Sequence, residues 1–399
     1  MKLFVPAETR AGERRVAMVP DVVARLAPLG IEVTVQAGAG AHAFAGDEAY
    51  AAAGAVVAPS ADLDRLLAES DVVATVRPLD PDRVRRLHRG ALALSFLQPG
   101  TDVDVLRAGR EAGVTLLSFD LVPRISRAQS MDALSSQALV TGYRAALTAA
   151  DHLPSFFPLF MTAAGTVQAA RVLVLGAGVA GLQAIATAKR LGAVVSAYDV
   201  RAASADEVRS MGGTFVQLDL DQLEGAGGYA REMSQDRAVR QQELLTPYVA
   251  ASDAVITTAS IPGRQAPLLV TRAMVETMKP GSVVVDLAAE SGGNVEGSLP
   301  GEVQSYTGVT VVGGRDVASE LPVHASRLYS MNVVNVLALL VKDGELVVDT
   351  DDEIVDGAAV LLAGEPHHPA SYTALGIEKP SDPPPPEESP VDSSTGGGA

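Results

Sequence analysis

Short apolar runs alternate with stretches of helical spacing along the amino-terminal third of the chain. The helical spacing predicts helices at 21–29 and 80–88, and the apolar runs predict strands at 3–6, 31–36, 71–76, 91–97 and 114–119. An alternation of strands and helices favours a parallel sheet that is covered by helices. The amino-terminal region is therefore predicted to form an α/β domain.

A second alternating series begins at residue 171, after a long helical stretch at 130–150. Its predicted strands are 172–175, 194–198, 214–217, 254–258, 282–286 and 309–312. A helical pattern at 326–342 carries an apolar stripe, so we expect this helix to pack back on the first domain. The predicted fold class is α/β, with two Rossmann-like domains whose parallel sheets flank a cleft, the amino-terminal one being completed by the carboxy-terminal helix.

These elements predict three regions. Residues 1–138 and 320–378 form a discontinuous amino-terminal domain, and residues 139–319 form the second α/β domain. Residues 379–399 are rich in Pro, Gly, Ser and acidic side chains. Such a segment cannot bury enough apolar surface to fold, so we expect a disordered tail.

Composition excludes several classes of function. The chain has no cysteine, which rules out disulfides, zinc–thiolate sites and thiol catalysis. Its net charge of −17 comes without a basic face, so no nucleic-acid partner is expected. No apolar run approaches the ~20 residues of a membrane helix, so we expect no direct membrane insertion. The six histidines lack partners at ligand spacing, and no metal site is expected.

The turn at the start of the second series has the glycine spacing of a dinucleotide-binding motif. Gly176 would permit a tight turn, Gly178 would let the backbone approach a pyrophosphate, and Gly181 would let the next helix pack close to the sheet. That helix would offer free N–H groups to phosphates. The following strand ends in Asp199, 18 residues after Gly181 and close to the roughly 20-residue offset of an acid that binds ribose hydroxyls.

The segment 124–137 is dense in polar side chains and joins the first domain to the long helix. Four of its residues could form a fixed polar set that faces the cleft: Arg124, Gln129, Asp132 and Ser135. Ser130 or Asp132 could instead cap the helix, and Arg127 could be a solvated charge. Spacing alone leaves these interpretations open.

Several motifs together resemble one known family. The residues at 124–132, 142–144, 161–166, 178–192 and 257–263 are similar to the NAD(H)-binding domain I (alpha-1 subunit) of the proton-translocating NAD(P) transhydrogenases. That domain shares its fold with alanine dehydrogenase. The resemblance runs from the first residue to about residue 376 and is most specific at 124–144 and 176–192.

The resemblance implies roles for individual residues. Arg124, Gln129, Asp132 and Ser135 would surround the nicotinamide and its ribose, and Asp199 would hold the adenosine ribose. Tyr229 would belong to a mobile loop that closes over the nucleotide; an ordinary surface turn is the alternative. The expected cofactor-binding residues are Gly176, Gly178, Val179, Ala180, Gly181, Asp199, Val200, Arg201, Tyr229, Thr258 and Ala259.

The resemblance also implies cofactors, partners and location. The chain would bind NAD(H) and pass hydride between NADH and NADP⁺ held on a partner subunit, coupled to proton movement across the membrane. It would form a homodimer, bind an NADP(H)-binding domain III and transmembrane subunits, and lie in the cytoplasm at the inner membrane. Arg201 could in principle meet a 2′-phosphate, but Asp199 would repel that group, so we expect NADP(H) only through the partner.

An amino-acid dehydrogenase resembling alanine dehydrogenase is the alternative function. Alignment with that enzyme puts Arg77 at its substrate-binding lysine and Gln98 at its acid/base histidine. Arginine stays protonated and glutamine does not titrate, so neither can shuttle a proton at neutral pH. Arg14 or Arg15 could still bind a carboxylate. A nucleotide-binding regulatory module without chemistry is a third possibility.

One loop departs from the family pattern. The family has proline where this chain has Ala318, although Asp316 two residues earlier is retained. The conformation of the loop around Asp316 is therefore open at the level of sequence.

Overall fold

Two large β-sheets, each covered by helices, form the body of the molecule in a computed structural model that describes residues 1–220, 235–260 and 263–379. The strands are, in chain order, β1 Lys2–Val5, β2 Glu32–Gln36, β3 Val56–Ala58, β4 Val72–Ala74, β5 Leu92–Ser95, β6 Thr115–Ser118, β7 Phe160–Thr162, β8 Gly165–Val167, β9 Arg171–Leu175, β10 Val194–Tyr198, β11 Thr214–Phe215, β12 Ala254–Thr257, β13 Val283–Asp286, β14 Val303–Tyr306, β15 Val309–Gly313, β16 Val341–Lys342, β17 Glu345–Leu346, β18 Ala359–Leu362 and β19 Glu365–Pro366.

Helices of very different length cover these sheets. They are α1 Pro20–Val23, α2 Asp47–Ala52, α3 Leu63–Glu69, α4 Pro81–Val84, α5 Val103–Ala112, α6 Ala133–His152, α7 Val179–Arg190, α8 Ser204–Ser210, α9 Gln235–Ala250, α10 Arg272–Glu276, α11 Pro322–Leu340, α12 Glu353–Ala358 and α13 Pro369–Leu375. Within the described ranges, no helix is both long enough and apolar enough to cross a membrane.

The first sheet combines strands from both ends of the chain. Its order is β19-β18-β6-β5-β4-β1-β2-β3, and β1 to β6 pair in parallel. Strands β18 and β19 add an antiparallel edge, and the sequence analysis missed both. Helix α11 buries Tyr329, Val333 and Leu337 against this sheet, which confirms that a carboxy-terminal helix completes the first domain.

The second sheet has the order β11-β10-β9-β12-β13-β15-β14, and all its pairs are parallel except that of β14 with β15. The chain moves outward from β9 to β10 and β11, and then returns to place β12 on the other side of β9. Open α/β sheets bind ligands at such a switch point, beyond the carboxyl ends of the strands. The predicted α/β class with two Rossmann-like domains is confirmed.

Helix α6 connects the two sheets and packs against helices of both. It lies against α7 of the second domain and α11 of the first. The predicted domain boundary at 138/139 falls inside this helix. Contact with α7 is closest at Gly142, where a Cβ atom would lie 2.0 Å from the carbonyl oxygen of Ala180. The helix pair therefore requires glycine at this position.

A buried group of charges joins the first domain to the second. The Glu13 carboxylate accepts hydrogen bonds from Nε and Nη2 of Arg15, at 2.8 and 2.6 Å, and from Nε of Arg77 at 3.0 Å. Arg77 also forms an ion pair with Asp316 of the second domain. Burial by itself would raise the pKa of Glu13, but the hydrogen bonds and charge of Arg15, with the charge of Arg77, lower it to about 2.

Glu8 lies beside this group, beyond the end of β1. Its two carboxylate oxygens accept the backbone N–H groups of Val76, at 2.6 Å, and Arg77, at 3.2 Å, beyond the end of β4. Burial raises the pKa of Glu8 to about 7, against the lowering effect of these hydrogen bonds. Glu8 therefore titrates near neutral pH in the folded protein.

The Glu8→Gln variant tests this titration. Because the pKa rises from 4.5 to about 7 on folding, the folded state binds the proton more tightly, and the free energy of unfolding falls as pH increases through that interval. The variant lacks this titration, so wild type should lose about 1–2 kcal/mol more than the variant between pH 5 and 7.5. Urea unfolding at a series of pH values measures the difference.

Glu48→Gln is the matched control, because Glu48 is an exposed glutamate of α2. This control should keep the wild-type dependence of stability on pH. Parallel curves for wild type and Glu8→Gln would contradict the assignment.

Candidate functional site

The glycine turn between β9 and α7 leaves no room for side chains at two of its three glycines. Gly176 has φ +100°, and a Cβ there would lie 2.6 Å from Oγ1 of Thr258. A Cβ at Gly181 would lie 1.9 Å from the carbonyl oxygen of Gly176. The tight turn and the close helix packing expected from the motif are confirmed, whereas the binding of a cofactor there stays a prediction.

Gly178 differs from the other two glycines because its surroundings are open. No atom lies within 4 Å of a Cβ built at this residue. It precedes α7 without a side-chain cap, so the first N–H groups of the helix, from Val179 onward, are available to a ligand. Ala180 faces away, since its carbonyl group contacts Gly142 of α6. The turn thus fits a pyrophosphate at Gly178.

Thr258 and Ala259 follow β12 and lie opposite the glycine turn. Oγ1 of Thr258 donates to the carbonyl oxygen of Gly176 at 3.0 Å, and the carbonyl oxygen of Ala259 accepts Nδ2 of Asn294 at 2.8 Å. Asn294 is fully buried and also donates to Pro267 at 2.8 Å. These bonds fix the second wall of the crevice at the switch point.

Asp199 stands at the end of β10, next to the glycine turn, as the sequence predicts. Its side chain is 8 % exposed, accepts the backbone N–H of Ala177 at 2.7 Å and forms an ion pair with Arg201. Val200, between the two charged residues, packs against the apolar core of this sheet. Hydrogen bonding to Asp199 raises the pKa of Arg201.

The polar segment folds as a 3₁₀ helix, Ser126–Met131, followed by α6. Asp132 caps α6: its carboxylate accepts the backbone N–H of Ser135 at 2.8 Å and the hydroxyl of Ser135 at 2.6 Å. This decides between the two possible caps, since the carbonyl oxygen of Ser130 accepts Nδ2 of Asn332 at 2.9 Å. Arg124 and Gln129 are exposed on the same segment.

The interpretation of Arg127 as a solvated charge is wrong. Its Nη1 and Nη2 donate to the two carboxylate oxygens of Asp352, at 2.5 and 2.8 Å. The partner lies 225 residues away in sequence, beyond the reach of local patterns. Arg127 therefore anchors the 3₁₀ helix to α12.

Helix α6 carries the Asp132–Ser135 pair and the glycine-turn contact on one side. Ser135 and Gly142 are seven residues apart, so they share a helix face and lie about 10 Å apart along the axis. Gly142 touches the start of α7. The structure thus arranges two predicted groups, the polar set and the glycine turn, along one helix.

The positions that match the lysine and histidine of alanine dehydrogenase are held by charge pairs and amide hydrogen bonds. Arg77 pairs with Glu13 and Asp316, and the side chain of Gln98 hydrogen-bonds Asp120. Burial raises the pKa of Asp120. Arg15 is also occupied, since it donates to Glu13 and, at 2.9 Å, to Oε1 of Gln137.

Arg14 is differently placed from Arg15. It lines a cavity of about 310 Å³ that also borders Gly12, Ser319 and Asp316. Sequence analysis missed Glu8 and Glu13 in this region. A signal was available, because two acids stand among the arginines of the loop that follows β1.

The loop that lacks the family proline is held by polar contacts. Asp316 has φ +45° and is buried, and its backbone N–H donates to Glu290 at 2.9 Å. Its Oδ1 meets Arg77, whereas Oδ2 makes no hydrogen bond to the described part of the chain. Ala318 is buried in the 3₁₀ helix Val317–Glu320 that follows. Tyr229 and its loop lie outside the described residues.

Comparisons with known proteins agree with this geometry. Residues 4–141 match the family model "Alanine dehydrogenase/PNT, N-terminal domain", and residues 145–369 match "Alanine dehydrogenase/PNT, C-terminal domain". In Rhodospirillum rubrum, the chain that forms the first of the separate pieces of NAD(P) transhydrogenase subunit alpha is 47% identical over 380 residues, which are 93% of this chain and 98% of that protein.

Two further matches lie on either side of the family. The crystal structure of transhydrogenase from Sinorhizobium meliloti superposes with a TM-score of 0.83 at 42% identity, over 92% of this chain and 100% of that one. Alanine dehydrogenase of Mycobacterium tuberculosis is 32% identical over 303 residues, 75% of this chain and 76% of that enzyme. On these matches, the chain belongs to the alanine dehydrogenase/PNT family, as the resemblance of its motifs implies.

Proposed function

We propose that this chain is the NAD(H)-binding subunit of a proton-translocating NAD(P) transhydrogenase. The observation that carries the proposal is the common face of α6, with Ser135 of the polar set two turns before Gly142 at the glycine turn. A dinucleotide whose pyrophosphate meets the turn would extend its nicotinamide toward the polar set. The 47% identity to a transhydrogenase subunit supports the same function.

The residues of this chain would bind and orient the cofactor. The first N–H groups of α7, with Thr258 and Ala259 opposite, would hold the pyrophosphate end, and Asp199 would accept the adenosine ribose hydroxyls. Val200 and Arg201 border that ribose, and Tyr229 would cover the nucleotide. NADH supplies a hydride when bound, and NADP⁺ on a partner subunit accepts it.

Arg124, Gln129, Asp132 and Ser135 would position the nicotinamide ring and its carboxamide. Direct transfer between two rings asks the protein to hold them close and to exclude water. It asks for no general base, which agrees with Gln98 and the ion-paired Arg77 in the first domain. This is the physical argument against the amino-acid dehydrogenase.

The partners follow from the same proposal. An NADP(H)-binding domain III and transmembrane subunits would be separate components, and the chain would lie in the cytoplasm, peripheral to the inner membrane. Residues 1–138 with 320–378 would form one domain and 139–319 the NAD(H)-binding domain. Coupling to proton movement would take place through the membrane subunits.

A homodimer is part of the proposal, and the hairpin of β7 and β8 supports it. This two-stranded sheet is exposed along its whole length and carries Phe160 and Met161, which are 47 % and 77 % exposed. Phe156 packs edge-on against Phe160 at 5.2 Å between ring centroids. An isolated hairpin is marginally stable in water, so a second copy of this chain would cover it.

Reconstitution tests the proposed function. The purified chain, mixed with an NADP(H)-binding domain III, should catalyse hydride transfer from NADPH to an NAD⁺ analogue that absorbs at its own wavelength. The chain alone should not oxidise NADH with pyruvate and ammonia, because Gln98 cannot act as the acid/base group. Absence of transfer at saturating nucleotides would refute the transhydrogenase, and pyruvate-dependent oxidation would establish the dehydrogenase instead.

The Gln129→Asn variant tests ring positioning. Shortening the side chain by one methylene should slow transfer about tenfold and change the Kd for NADH less than twofold, because orientation affects the reacting geometry more than binding. Stopped-flow transfer rates and fluorescence titration measure the two effects. Gln168→Asn, at an exposed glutamine after β8, should change neither. Equal losses of rate and affinity would remove Gln129 from the positioning set.

The Met161→Asp variant tests the dimer. A charge on the exposed apolar hairpin would be buried unpaired in a dimer interface, so the dimerisation constant should weaken at least about a hundredfold. Sedimentation velocity over a range of concentrations measures it. Met211→Asp, at another exposed methionine, should leave the wild-type association intact. A wild-type monomer at micromolar concentration would refute the homodimer.

A further inference from the structure

The Asp199 carboxylate has no acceptor position left for a ribose in this structure. It accepts the backbone N–H groups of Ala177, at 2.7 Å, and of Arg201, at 2.9 Å. The guanidinium of Arg201 adds two bonds, from Nε to Oδ1 at 2.9 Å and from Nη2 to Oδ2 at 3.0 Å. An ionised carboxylate offers about four lone-pair positions, so these four bonds fill it.

Two of these four bonds are fixed by the fold, and two can be exchanged. The backbone N–H groups belong to the glycine turn and to the chain directly after β10, and they keep their places. The guanidinium ends a flexible side chain that is 24 % exposed. Rotation of that side chain would free one lone pair on each carboxylate oxygen. A ribose diol presents two neighbouring O–H donors, which match this pair of acceptors as the guanidinium fork does.

We propose that Arg201 is a specificity-determining residue, whose guanidinium occupies the two acceptor positions of the adenosine ribose diol and, once displaced, faces the 2′ position. This inference rests on the proposed function, because it requires an adenosine ribose at Asp199. Arg201 then affects two ligand classes in opposite directions. It competes with the free diol of NAD(H), and it supplies the counter-charge for a 2′-phosphate that Asp199 repels.

The preference of the site for NAD(H) therefore comes from Asp199, and Arg201 narrows it. Replacement of Arg201 removes both the competitor and the counter-charge. The affinity for diol ligands rises, and the affinity for 2′-phosphorylated ligands falls. A residue with a merely structural role would lower both affinities together, so the signs of the two changes identify the role.

Binding titrations of Arg201→Ala test the inference with four probes. NADH and 5′-AMP carry the free diol, whereas NADPH and adenosine 2′,5′-bisphosphate carry the 2′-phosphate. The two small probes report on the adenosine end alone. We expect the variant to bind the diol probes about fivefold more tightly and the 2′-phosphate probes about tenfold more weakly than wild type.

Arg201→Lys separates charge from geometry. Lysine keeps the positive charge but lacks the planar fork, so it should release the diol positions and retain most of the affinity for 2′-phosphate. Arg209→Ala is the matched control: it removes the same charge nearby, from an exposed pair with Asp206 at 2.7 Å. This control should bind all four probes as wild type does.

The possible failures are distinguishable. If wild type binds NADH and 5′-AMP but Arg201→Ala shifts both probe classes in the same direction, or shifts neither, Arg201 does not set specificity while the proposed function stands. If wild type binds none of the four probes, the proposed function falls and this inference falls with it. Thermal unfolding within a few degrees of wild type establishes that Arg201→Ala and Arg201→Lys are folded.

Discussion

The close approach of α6 to the glycine turn is the constraint on which the rest of the structure depends. A Cβ at Gly142 would lie 2.0 Å from the carbonyl oxygen of Ala180, and a Cβ at Gly181 would lie 1.9 Å from that of Gly176. Backbone meets backbone at both contacts, and densely packed interiors do not yield to an added methyl group at such distances. The position of α6 is thereby fixed relative to the second sheet.

The same helix is also held from the first domain. It packs against α11, and Gln137 of α6 accepts a hydrogen bond from the buried Arg15. Arg77 extends the connection, since it pairs with Glu13 on one side and with Asp316 of the second domain on the other. Removing one member of a buried ion group leaves an uncompensated charge, which typically costs about 3–5 kcal/mol. Packing and charge together therefore hold both sheets against one helix.

Local patterns predicted the central strands and the glycine turn, because both depend on neighbouring residues. Strands β18 and β19 were missed, since four and two residues give too short a pattern next to an acidic tail. The cap of α6 was left open because serine and aspartate both serve as caps. The partner of Arg127 lies 225 residues away. Geometry between distant segments, and not composition, decides such pairs.

The crevice of the first sheet shows how the charged residues divide the work between the domains. Strands β1 and β4 are neighbours at the switch point of that sheet, where open α/β sheets bind ligands. There the carboxylate of Glu8 accepts the N–H groups beyond β4, and the carboxylate of Glu13 pairs with Arg15 and Arg77. The chain's own anions thus take the positions that a carboxylate substrate would need.

Glu8 titrates near neutral pH, but both of its oxygens are engaged by backbone N–H groups. A proton on Glu8 would therefore replace one of these hydrogen bonds and would not pass directly to a substrate. In the second sheet the equivalent crevice has an open position at Gly178 and an acid, Asp199, whose internal partner is a flexible side chain. The first crevice is closed by bonds to the fixed backbone, and the second by bonds that can exchange. Ligand exchange therefore belongs to the second sheet, and the first supports it as a charged wall.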